Sequence, residues 1–342
     1  HVMIRVALVG VGGYAGQEAL RLVLGHPRLE LAGLFGSSDT AGKPLAEVVP
    51  TFRGLTSETI RETSASSITE TDAEIAILAT SHELSMRLAP ELIAAGIKVF
   101  DLSGAFRLSD ASLYPTFYGF THETSDLLSA AIYGLPELVG DSIKEAKLVS
   151  VPGCYATSVI LPVAPLVREG VLDTSRPVIV DATSGVSGAG RAANARTSYC
   201  EVSQSAYGVG FHRHTPEMAQ YTGVDIIFTP HLGPYERGIL STIHADVEPG
   251  VTRDRVVKAL ESAYMDQPFV RVLPAGQWPT VNGVRHTNMI DIGVHVDERR
   301  HHLILISAID NLLKGASGQG IQAINAHFGW DQRLGLLPGA WA

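Results

Sequence analysis

The first twenty-four residues most strongly limit the fold, because a buried strand there runs directly into a glycine turn and a helix. The run Ile4–Val9 is short and apolar, and the turn Gly10–Gly16 follows it without a break. Apolar residues at helical spacing continue over Gln17–Leu24. A strand, glycine turn and helix in this order predict the start of a βαβ unit and hence a parallel sheet.

Three glycines of this turn, Gly10, Gly13 and Gly16, fit a G-x-x-G-x-x-G form of the dinucleotide-binding fingerprint. Without side chains the backbone can approach a pyrophosphate at the helix N-terminus. An ordinary structural turn is the alternative. The position of the turn after the first strand favours a dinucleotide site.

A polar cluster follows the second predicted strand, Leu29–Phe35. NAD enzymes usually place an acidic residue there, against the ribose hydroxyls. Here Ser37 and Ser38 come first, with Asp39 and Lys43 after them. The hydroxyls and the lysine suit a 2′-phosphate, so the cluster favours NADP over NAD, with an ordinary loop as the alternative.

Strands and helices alternate through the first 150 residues, with strands predicted at Glu74–Ala79 and Ile97–Asp101 around a helix at Leu84–Ala95. This pattern predicts an α/β fold, with residues 1–150 as a Rossmann-type NADP-binding domain. Residues 151–314 are rich in strands that alternate in hydrophobicity. They predict an α+β domain for catalysis, substrate binding and oligomerisation on a mixed or antiparallel sheet. A C-terminal helix within about 315–342 is expected to complete the first domain.

Cys154 lies where the apolar run Leu148–Val151 ends in Pro152-Gly153 and a helical pattern begins. Unpaired N–H groups at a helix N-terminus favour thiolate over thiol and can hold an oxyanion. This placement predicts a nucleophile, and a small buried structural residue is the alternative.

Two histidines flank an arginine in the segment Phe211–Glu217. A metal site is disfavoured, because His212 and His214 would need further ligands and the chain offers no partner motif. Imidazole titrates near neutral pH, so the pair predicts an acid/base catalyst. The glycine-rich run Thr183–Arg191, and Arg237 further on, are candidate sites for a phosphate or carboxylate.

The composition restricts the partners. A net charge of -9 argues against nucleic acid or an anionic membrane as the main partner. No apolar run approaches the roughly 18 residues of a membrane span. The two cysteines, Cys154 and Cys200, form no disulfide framework. These features predict a cytoplasmic enzyme.

A nicotinamide site, a thiol and an acid/base histidine together predict hydride transfer at the aldehyde or acyl level, where a thiolate can form a thiohemiacetal or thioester. The motifs resemble those of the N-acetyl-gamma-glutamyl-phosphate reductases of arginine biosynthesis, relatives of aspartate-semialdehyde dehydrogenase. The resemblance runs nearly the whole chain and rests on Gly10–Gly16, Asp101–Ser103, Phe106–Leu108, Tyr133–Leu138, Pro152–Tyr155, Ser184–Arg191, His212–Glu217 and Ala308–Gly315.

The resemblance implies NADPH-dependent reduction of an acyl phosphate to a semialdehyde, with Cys154 as nucleophile and His212 as general acid/base. It also implies a homodimer or homotetramer acting on a small acyl phosphate. The expected cofactor-binding residues are Gly10, Gly12, Gly13, Tyr14, Ala15, Gly16, Ser37, Ser38, Ser184, Gly185 and Asn311. The expected substrate-binding residues are Arg107, Ser187, Arg191, His214, Glu217 and Arg237.

Two other functions remain open at this point. One is a reductase of lysine biosynthesis that acts on an aminoadipate-type or glutamate acyl phosphate carried by a small acidic protein. The other is a non-catalytic, dinucleotide-sensing Rossmann protein in which Cys154 is only structural. The chain has 35 acidic residues against 26 Lys and Arg. An acidic carrier would demand a basic rim around the active site, so this balance favours a small, free substrate.

Overall fold

Fourteen strands form two seven-stranded sheets in residues 3–337, the part of the chain that the computed structural model describes. The described residues up to Pro152, together with those from Ala316 onward, form one compact unit. Gly153–Gly315 form the second. Each sheet belongs to one unit.

The first sheet is entirely parallel, in the order β3-β2-β1-β4-β5-β7-β6. Its strands are β1 (Ile4–Val9), β2 (Leu29–Gly36), β3 (Ile60–Glu62), β4 (Ile75–Leu78), β5 (Lys98–Asp101), β6 (Ile132–Tyr133) and β7 (Leu148–Ser150). The α-helices of this unit are α1 (Tyr14–Leu24), α2 (Leu45–Val48), α3 (Ala65–Thr69), α4 (His82–Ala94), α5 (Tyr114–Phe117), α6 (Asp126–Ala130) and α7 (Pro136–Val139), together with a C-terminal helix given below. All four residues of β4 are buried, as expected for a parallel strand covered on both faces.

The second sheet is mixed, in the order β12-β13-β14-β11-β8-β10-β9. Its strands are β8 (Val178–Gly185), β9 (Ser205–Ala206), β10 (Ile226–Gly233), β11 (Ile239–Asp246), β12 (Val270–Val272), β13 (Ile290–Asp297) and β14 (His302–Ile309). The remaining α-helices are α8 (Cys154–Arg168), α9 (His214–Thr222), α10 (Arg253–Tyr264) and α11 (Val281–Val284) in this unit, and α12 (Ser317–His327) in the first. The predicted fold class, a Rossmann-type parallel sheet plus an α+β unit with a mixed sheet, is confirmed.

Helix α8, which begins at Cys154, is buried along most of its length and contains two prolines. A proline has no N–H to donate to the carbonyl four residues earlier. The carbonyl of Ser158, four before Pro162, accepts the hydroxyl of Ser307 at 2.6 Å. The carbonyl of Leu161, four before Pro165, accepts the Tyr264 hydroxyl. Neighbouring elements thus satisfy the carbonyls that both prolines leave, and they anchor the helix.

The two faces of the second sheet differ. Alternate residues of β8, β10 and β11 are buried on one face, where α8 packs on β11 and α9 packs on β10. The opposite face, called the outer face below, carries Ile179, 43% exposed, and Ile227, 50% exposed. Large apolar side chains at this exposure mark a surface suited to contact with another protein.

Some element boundaries differ from the sequence prediction. Strands β8 and β10 continue to Gly185 and Gly233, so Thr183–Gly185 belong to a strand and not to the predicted glycine-rich loop. The short strands β3, β6 and β12 were not predicted. Each has only two or three residues, too few to show a periodic pattern.

Candidate active site

The glycine turn after β1 is compact because two of its glycines meet other backbone atoms. A Cβ on Gly10 would lie 2.1 Å from the carbonyl oxygen of Ala79, and one on Gly16 would lie 2.1 Å from that of Gly10. Gly12 is different, since a Cβ there would meet nothing within 4 Å. The turn therefore packs tightly on one side and leaves open space on the other.

That open space belongs to a cavity of about 420 Å³. Gly10, Gly12 and Gly13 line it at one end, and Ser37 and Ser38 also line it. Helix α1 begins beside it, and no side chain caps its N-terminus. The N–H groups at the start of α1, an uncrowded backbone at Gly12 and two hydroxyls fit the pyrophosphate and ribose phosphate of a dinucleotide.

The other residues expected to bind the cofactor in this unit differ in their position relative to the cavity. Tyr14 is the first residue of α1, and the Ala15 carbonyl accepts the hydroxyl of Ser317 at 2.7 Å. Lys43, expected to supply positive charge, is not among the described residues that line the cavity, whereas the acidic residue Glu62 is. Recognition of a 2′-phosphate at this cavity would therefore depend on hydroxyl and backbone N–H groups.

In the second unit, Cys154 is the first residue of α8, as predicted, and is partly exposed. Its predecessor Gly153 is extended, and the Gly153 N–H donates to the buried carboxylate of Glu217 at 2.8 Å. The ring of His214 packs against Gly153, where a Cβ would lie 2.5 Å from Nε2. Glu217 and His214 thus fix the backbone that presents the thiol.

His212 lies in an aromatic enclosure. The rings of Tyr155, Tyr207 and Phe228 are 5.5, 5.5 and 5.3 Å from it between centroids. Burial, followed by the charge of Arg213, lowers the pKa of His212 to about 4. Its ring is therefore neutral at pH 7.

The protonated nitrogen of this neutral ring follows from its hydrogen bond. The backbone N–H of His214 lies 3.1 Å from Nδ1 of His212 and donates to it. This assigns the ring proton to Nε2. His212 thus presents an N–H donor, and accepting a proton at Nε2 would require the proton to move to Nδ1 at the expense of this bond.

Two tyrosine hydroxyls form a short chain beside the histidine. Tyr207 donates to the hydroxyl of Tyr155 at 3.2 Å, and Tyr155 donates to the carbonyl of His231 at 2.8 Å. Burial raises the pKa of Tyr207 to about 12 and also raises that of Tyr155, and the charge of Cys154 adds to both effects. Both hydroxyls therefore stay protonated near neutral pH.

A turn after β14 packs directly on the nucleophile. A Cβ on Gly315 would lie 2.8 Å from the Cβ of Cys154. The buried carboxylate of Asp310 holds the turn, because it accepts the N–H groups of Leu312 and Leu313 at 2.9 and 3.0 Å. Arg237 is paired with the same carboxylate, at 2.8 Å from Nε to Oδ2. Asp310 thus connects a buried arginine to the turn against Cys154.

The predicted residues around Asn311 are brought together in the same unit. The Asn311 amide donates to the Ser187 hydroxyl at 3.0 Å and accepts the Gly238 N–H at 2.6 Å. Ser184 is buried, and a Cβ on Gly188 would lie 2.6 Å from the hydroxyl oxygen of Ser184. The amide of Asn311 therefore ties the end of β8 to the turn that contacts Cys154.

The predicted arginines differ in their surroundings. Arg107, in the first unit, is buried and donates to the carbonyls of Val151 and Leu102, each at 2.8 Å. Arg237 is buried and paired with Asp310, whereas Arg191 is exposed. Of the three, Arg191 is the most accessible to a ligand.

Sequence reasoning missed several residues of the site. Tyr207 lies in a polar run without a motif, and Asp310 lies inside the run Ala308–Gly315, where no local feature distinguishes it from its neighbours. The partners Gly153 and Glu217 are 64 residues apart in sequence, so their contact had no local signal. Cys200, the other cysteine, is exposed.

Comparisons with known proteins match the two units to two family models. The family described as "Semialdehyde dehydrogenase, NAD binding domain" matches residues 5–146, and "Semialdehyde dehydrogenase, dimerisation domain" matches residues 154–311. The N-acetyl-gamma-glutamyl-phosphate reductase of Moritella profunda is 44% identical over 339 residues, which is 98% of this chain and 100% of that protein. The enzyme of the same name from Escherichia coli O157:H7 is 44% identical over 337 residues, with 98% and 100% covered.

Solved structures show the same fold at low identity. Aspartate semialdehyde dehydrogenase II of Vibrio cholerae superimposes with a TM-score of 0.72 at 17% identity, covering 95% of this chain and 98% of that one. The Candida albicans aspartate semialdehyde dehydrogenase, solved with NADP, gives a TM-score of 0.70 at 14% identity, covering 95% and 98%. Within residues 3–337, none of the helices combines the length and the apolar character needed to cross a membrane.

Proposed function

The chain belongs to the N-acetyl-gamma-glutamyl-phosphate reductase family of the semialdehyde dehydrogenases, and from that premise we propose that it reduces N-acetyl-gamma-glutamyl phosphate to N-acetylglutamate semialdehyde and phosphate in arginine biosynthesis. Its cofactor is NADP(H). The observation that carries the proposal is Cys154 at the first residue of a buried helix, with its backbone fixed by Glu217. A thiol in that position suits attack on an acyl carbon.

In the proposed reaction the Cys154 thiolate forms a bond to the acyl carbon, and the C–O bond to phosphate breaks to leave a thioester. N–H groups in the first turn of α8 stabilise the oxyanion that forms during this step. When bound, NADPH supplies the hydride that converts the thioester to a thiohemiacetal. The thiohemiacetal then releases the semialdehyde and returns the sulfur to its thiolate form.

His212 is the proposed acid/base residue in these steps. Its Nε2–H can donate a hydrogen bond to the thiolate or to a developing oxyanion. Hydride addition gives the thiohemiacetal as its oxyanion, which collapses to the aldehyde and the thiolate without loss of a further proton. If that oxygen is first protonated, the proton must leave again before collapse, and His212 would accept it only if its ring proton moved to Nδ1. The contact between Nδ1 and the His214 N–H therefore bears directly on this step.

The substrate residues remain proposals as well. Arg191, being exposed, suits a direct contact with a carboxylate or phosphate oxygen. The other five predicted substrate residues make hydrogen bonds, an ion pair or packing contacts within the protein, which favours a structural role in the site over direct substrate contact. They are Ser187, Arg107, Arg237, His214 and Glu217. Substitution of Arg191 by Gln is expected to raise the KM for the semialdehyde, and an unchanged KM would remove it from the substrate site.

The proposed division of labour follows the two units. Residues 1–150, completed by the C-terminal helical segment, bind the cofactor, and residues 151–314 carry the substrate chemistry and oligomerise. The matched dimerisation domain supports a homodimer or homotetramer, and so do the half-exposed isoleucines of the outer face. We place the enzyme in the cytoplasm, where a reducing environment keeps the Cys154 thiol available.

The reaction is tested in reverse, by following NADPH formation from N-acetylglutamate semialdehyde, NADP and phosphate. We expect activity that depends on phosphate, and a loss of at least about 10³-fold in Cys154→Ser, because a hydroxyl is a far poorer nucleophile than a thiolate. Cys200→Ser is the matched control and should keep wild-type turnover. Retained activity in Cys154→Ser would rule out the covalent mechanism and favour a dinucleotide-sensing role.

The same assay separates the proposed substrate from a carrier-bound one. Free semialdehyde should be oxidised with little dependence on ionic strength, because a small substrate in a local site does not need long-range steering. Turnover only with a substrate linked to an acidic carrier protein, falling steeply as salt rises, would assign the chain to the aminoadipate-type reaction instead.

Cofactor selectivity tests the cavity of the first unit. The hydroxyls of Ser37 and Ser38 are proposed to contact only the 2′-phosphate. Replacing both by Ala should lower kcat/KM for NADP by about tenfold and leave that for NAD unchanged. Glu62→Gln should raise kcat/KM for NADP, since it removes from the cavity a negative charge that would repel the 2′-phosphate. Ser129→Ala, an exposed serine elsewhere, is the control, and equal losses for both cofactors would show that the loop is structural.

A further inference from the structure

A buried hydrogen-bond network in the first unit has no part in the reaction proposed above. Its centre is Asp101, the last residue of β5, which is fully buried. The Asp101 carboxyl group accepts the N–H of Ser103 at 3.0 Å and the hydroxyl of Ser103 at 2.8 Å. The hydroxyl of Ser85, a residue of α4 that is equally buried, donates to the same group. The network therefore joins the end of β5 to the first half of α4.

Asp101 acts in this network as an acceptor. Burial raises the pKa of its carboxyl group, whereas the hydrogen bonds from Ser103 and Ser85 and the nearby charge of Arg107 lower it. These donors stabilise the ionised form. A carboxylate has no hydrogen to donate, so the Ser85 hydroxyl directs its only hydrogen at Asp101.

The direction of this bond determines the next one. Thr80 Oγ1 and Ser85 Oγ lie 2.8 Å apart, and one of these two hydroxyls is the donor. Because the hydrogen of Ser85 is already directed at Asp101, Thr80 donates to Ser85. The carbonyl of Ser81, 3.2 Å from Thr80 Oγ1, is the more distant acceptor. The Thr80 oxygen is thus left with lone pairs and without a hydrogen to offer a ligand.

Thr80 also lines the cavity that fits the dinucleotide. The order β2-β1-β4 in the first sheet indicates which part of the cofactor it would meet. Ser37 and Ser38 follow β2, the glycine turn follows β1, and Thr80 follows β4. With the 2′-phosphate at the serines and the pyrophosphate at the glycine turn, the nicotinamide half would continue toward Thr80.

We propose that Thr80 binds the nicotinamide half of NADP(H) by accepting a hydrogen bond from it, and that Ser85 is the positioning residue that takes up the hydrogen of Thr80. The donor is an O–H of the ribose or an N–H of the carboxamide, the two groups in that half that can donate. The inference rests on the proposed function only for the place of the cofactor, and binding without catalysis tests it.

Calorimetric titration of the full-length protein with NADP measures the contact at Thr80. Thr80→Val keeps the shape of the side chain without its hydroxyl and should raise the Kd about tenfold, as expected for the loss of one hydrogen bond. Thr80→Ser should recover most of the affinity. Thr71→Val is the matched control and should keep the wild-type Kd. Thr71 is a buried threonine of the same unit that donates to the Ile68 carbonyl at 2.6 Å and is not among the described residues lining the cavity.

A double-mutant cycle tests the role of Ser85. Ser85→Ala removes the acceptor of the Thr80 hydrogen, so it should raise the Kd for NADP about threefold. In the combined variant, Thr80→Val should then cost less affinity than it does in the wild type. A serine that only supports the fold would lower the melting temperature and give additive changes in the Kd, so thermal unfolding of each variant completes the cycle.

Shorter and altered ligands identify the donor. Thr80→Val should bind adenosine 2′,5′-bisphosphate as the wild type does, because this ligand lacks the nicotinamide half. The acetylpyridine analogue of NADP lacks the carboxamide N–H, and 2′-phospho-ADP-ribose keeps the ribose but lacks the nicotinamide. A loss of affinity that persists with both identifies a ribose hydroxyl, and a loss that disappears with both identifies the carboxamide.

Three results would overturn the inference while leaving the cofactor assignment in place. They are wild-type affinity for NADP in Thr80→Val, an equal loss for adenosine 2′,5′-bisphosphate, and additive effects of the Thr80 and Ser85 substitutions. A wild-type protein that bound no NADP would overturn the cofactor assignment as well.

Discussion

At the scale of single residues, His212 is defined by what surrounds it. Its ring is enclosed by aromatic side chains, its pKa is lowered to about 4, and Nδ1 accepts a backbone N–H from His214. These three features favour a neutral ring that donates from Nε2 over an imidazolium that shuttles protons. The two roles predict different responses to substitution, because glutamine can replace an N–H donor but not a titrating base.

We expect His212→Ala to lower kcat by about 10² to 10⁴-fold, with KM and the melting temperature little changed. His212→Gln should recover at least about tenfold of this loss if the donor role dominates. His214→Ala is the comparison, and should lower the melting temperature more than kcat, because that ring supports Gly153. Steady-state kinetics and thermal unfolding measure both, and a larger kcat loss in His214→Ala would mean that the other imidazole is the catalyst.

The pH profile gives an independent measure of the same residue. If the neutral ring is the working form, kcat/KM should fall as the pH drops through the pKa of about 4, not near 6.5. The sign follows from protonation at Nδ1, which removes the acceptor for the His214 N–H. In His212→Gln this acidic limb should disappear.

At the scale of elements, the turn between β1 and α1 contains glycines required for packing and one glycine, Gly12, that we propose is required for the approach of a ligand. Gly16→Ala would force a Cβ to 2.1 Å from a backbone oxygen, so it should lower the free energy of unfolding by about 1–3 kcal/mol and weaken NADPH binding. Gly12→Ala is the matched control, since its Cβ meets no protein atom within 4 Å. It should weaken NADPH binding alone. Fluorescence titration and thermal unfolding separate the two, and unimpaired NADPH binding in Gly12→Ala would place the pyrophosphate elsewhere.

Local signals explain which elements the sequence could predict. Strand β1 with its glycine turn, and Cys154 at the start of α8, each depend on neighbours in sequence, and both were predicted correctly. Thr252 caps α10 in the same local way, because its side chain accepts the Arg255 N–H at 3.3 Å. The ion pair of Arg237 with Asp310 joins residues 73 apart, and tertiary packing alone creates it. The position of the thiol at the start of a helix could therefore be predicted from the sequence, whereas the tertiary contacts around the thiol could not.

At the scale of the whole molecule, the outer face of the second sheet is the surface proposed for self-association. Ile227→Asp should place a charge at the centre of an apolar contact and shift the protein to a smaller species in sedimentation velocity. Leu55→Asp, at a 66% exposed position in the first unit, is the control and should leave the sedimentation coefficient unchanged. An unaltered sedimentation coefficient in Ile227→Asp would show that the interface between copies lies on another surface.

The return of the chain to its first unit at Ala316 has a consequence for biosynthesis. A ribosome that has released the chain up to Gly315 has made every residue of the second unit but not α12 of the first. In α12, buried polar side chains such as Gln319 and Asn325 bond to Gly134 and His26. The unit encoded first is therefore the one completed last, and a premature stop codon at about Ala316 would leave every residue of the second unit, including the Cys154 thiol, while removing α12 from the dinucleotide-binding unit.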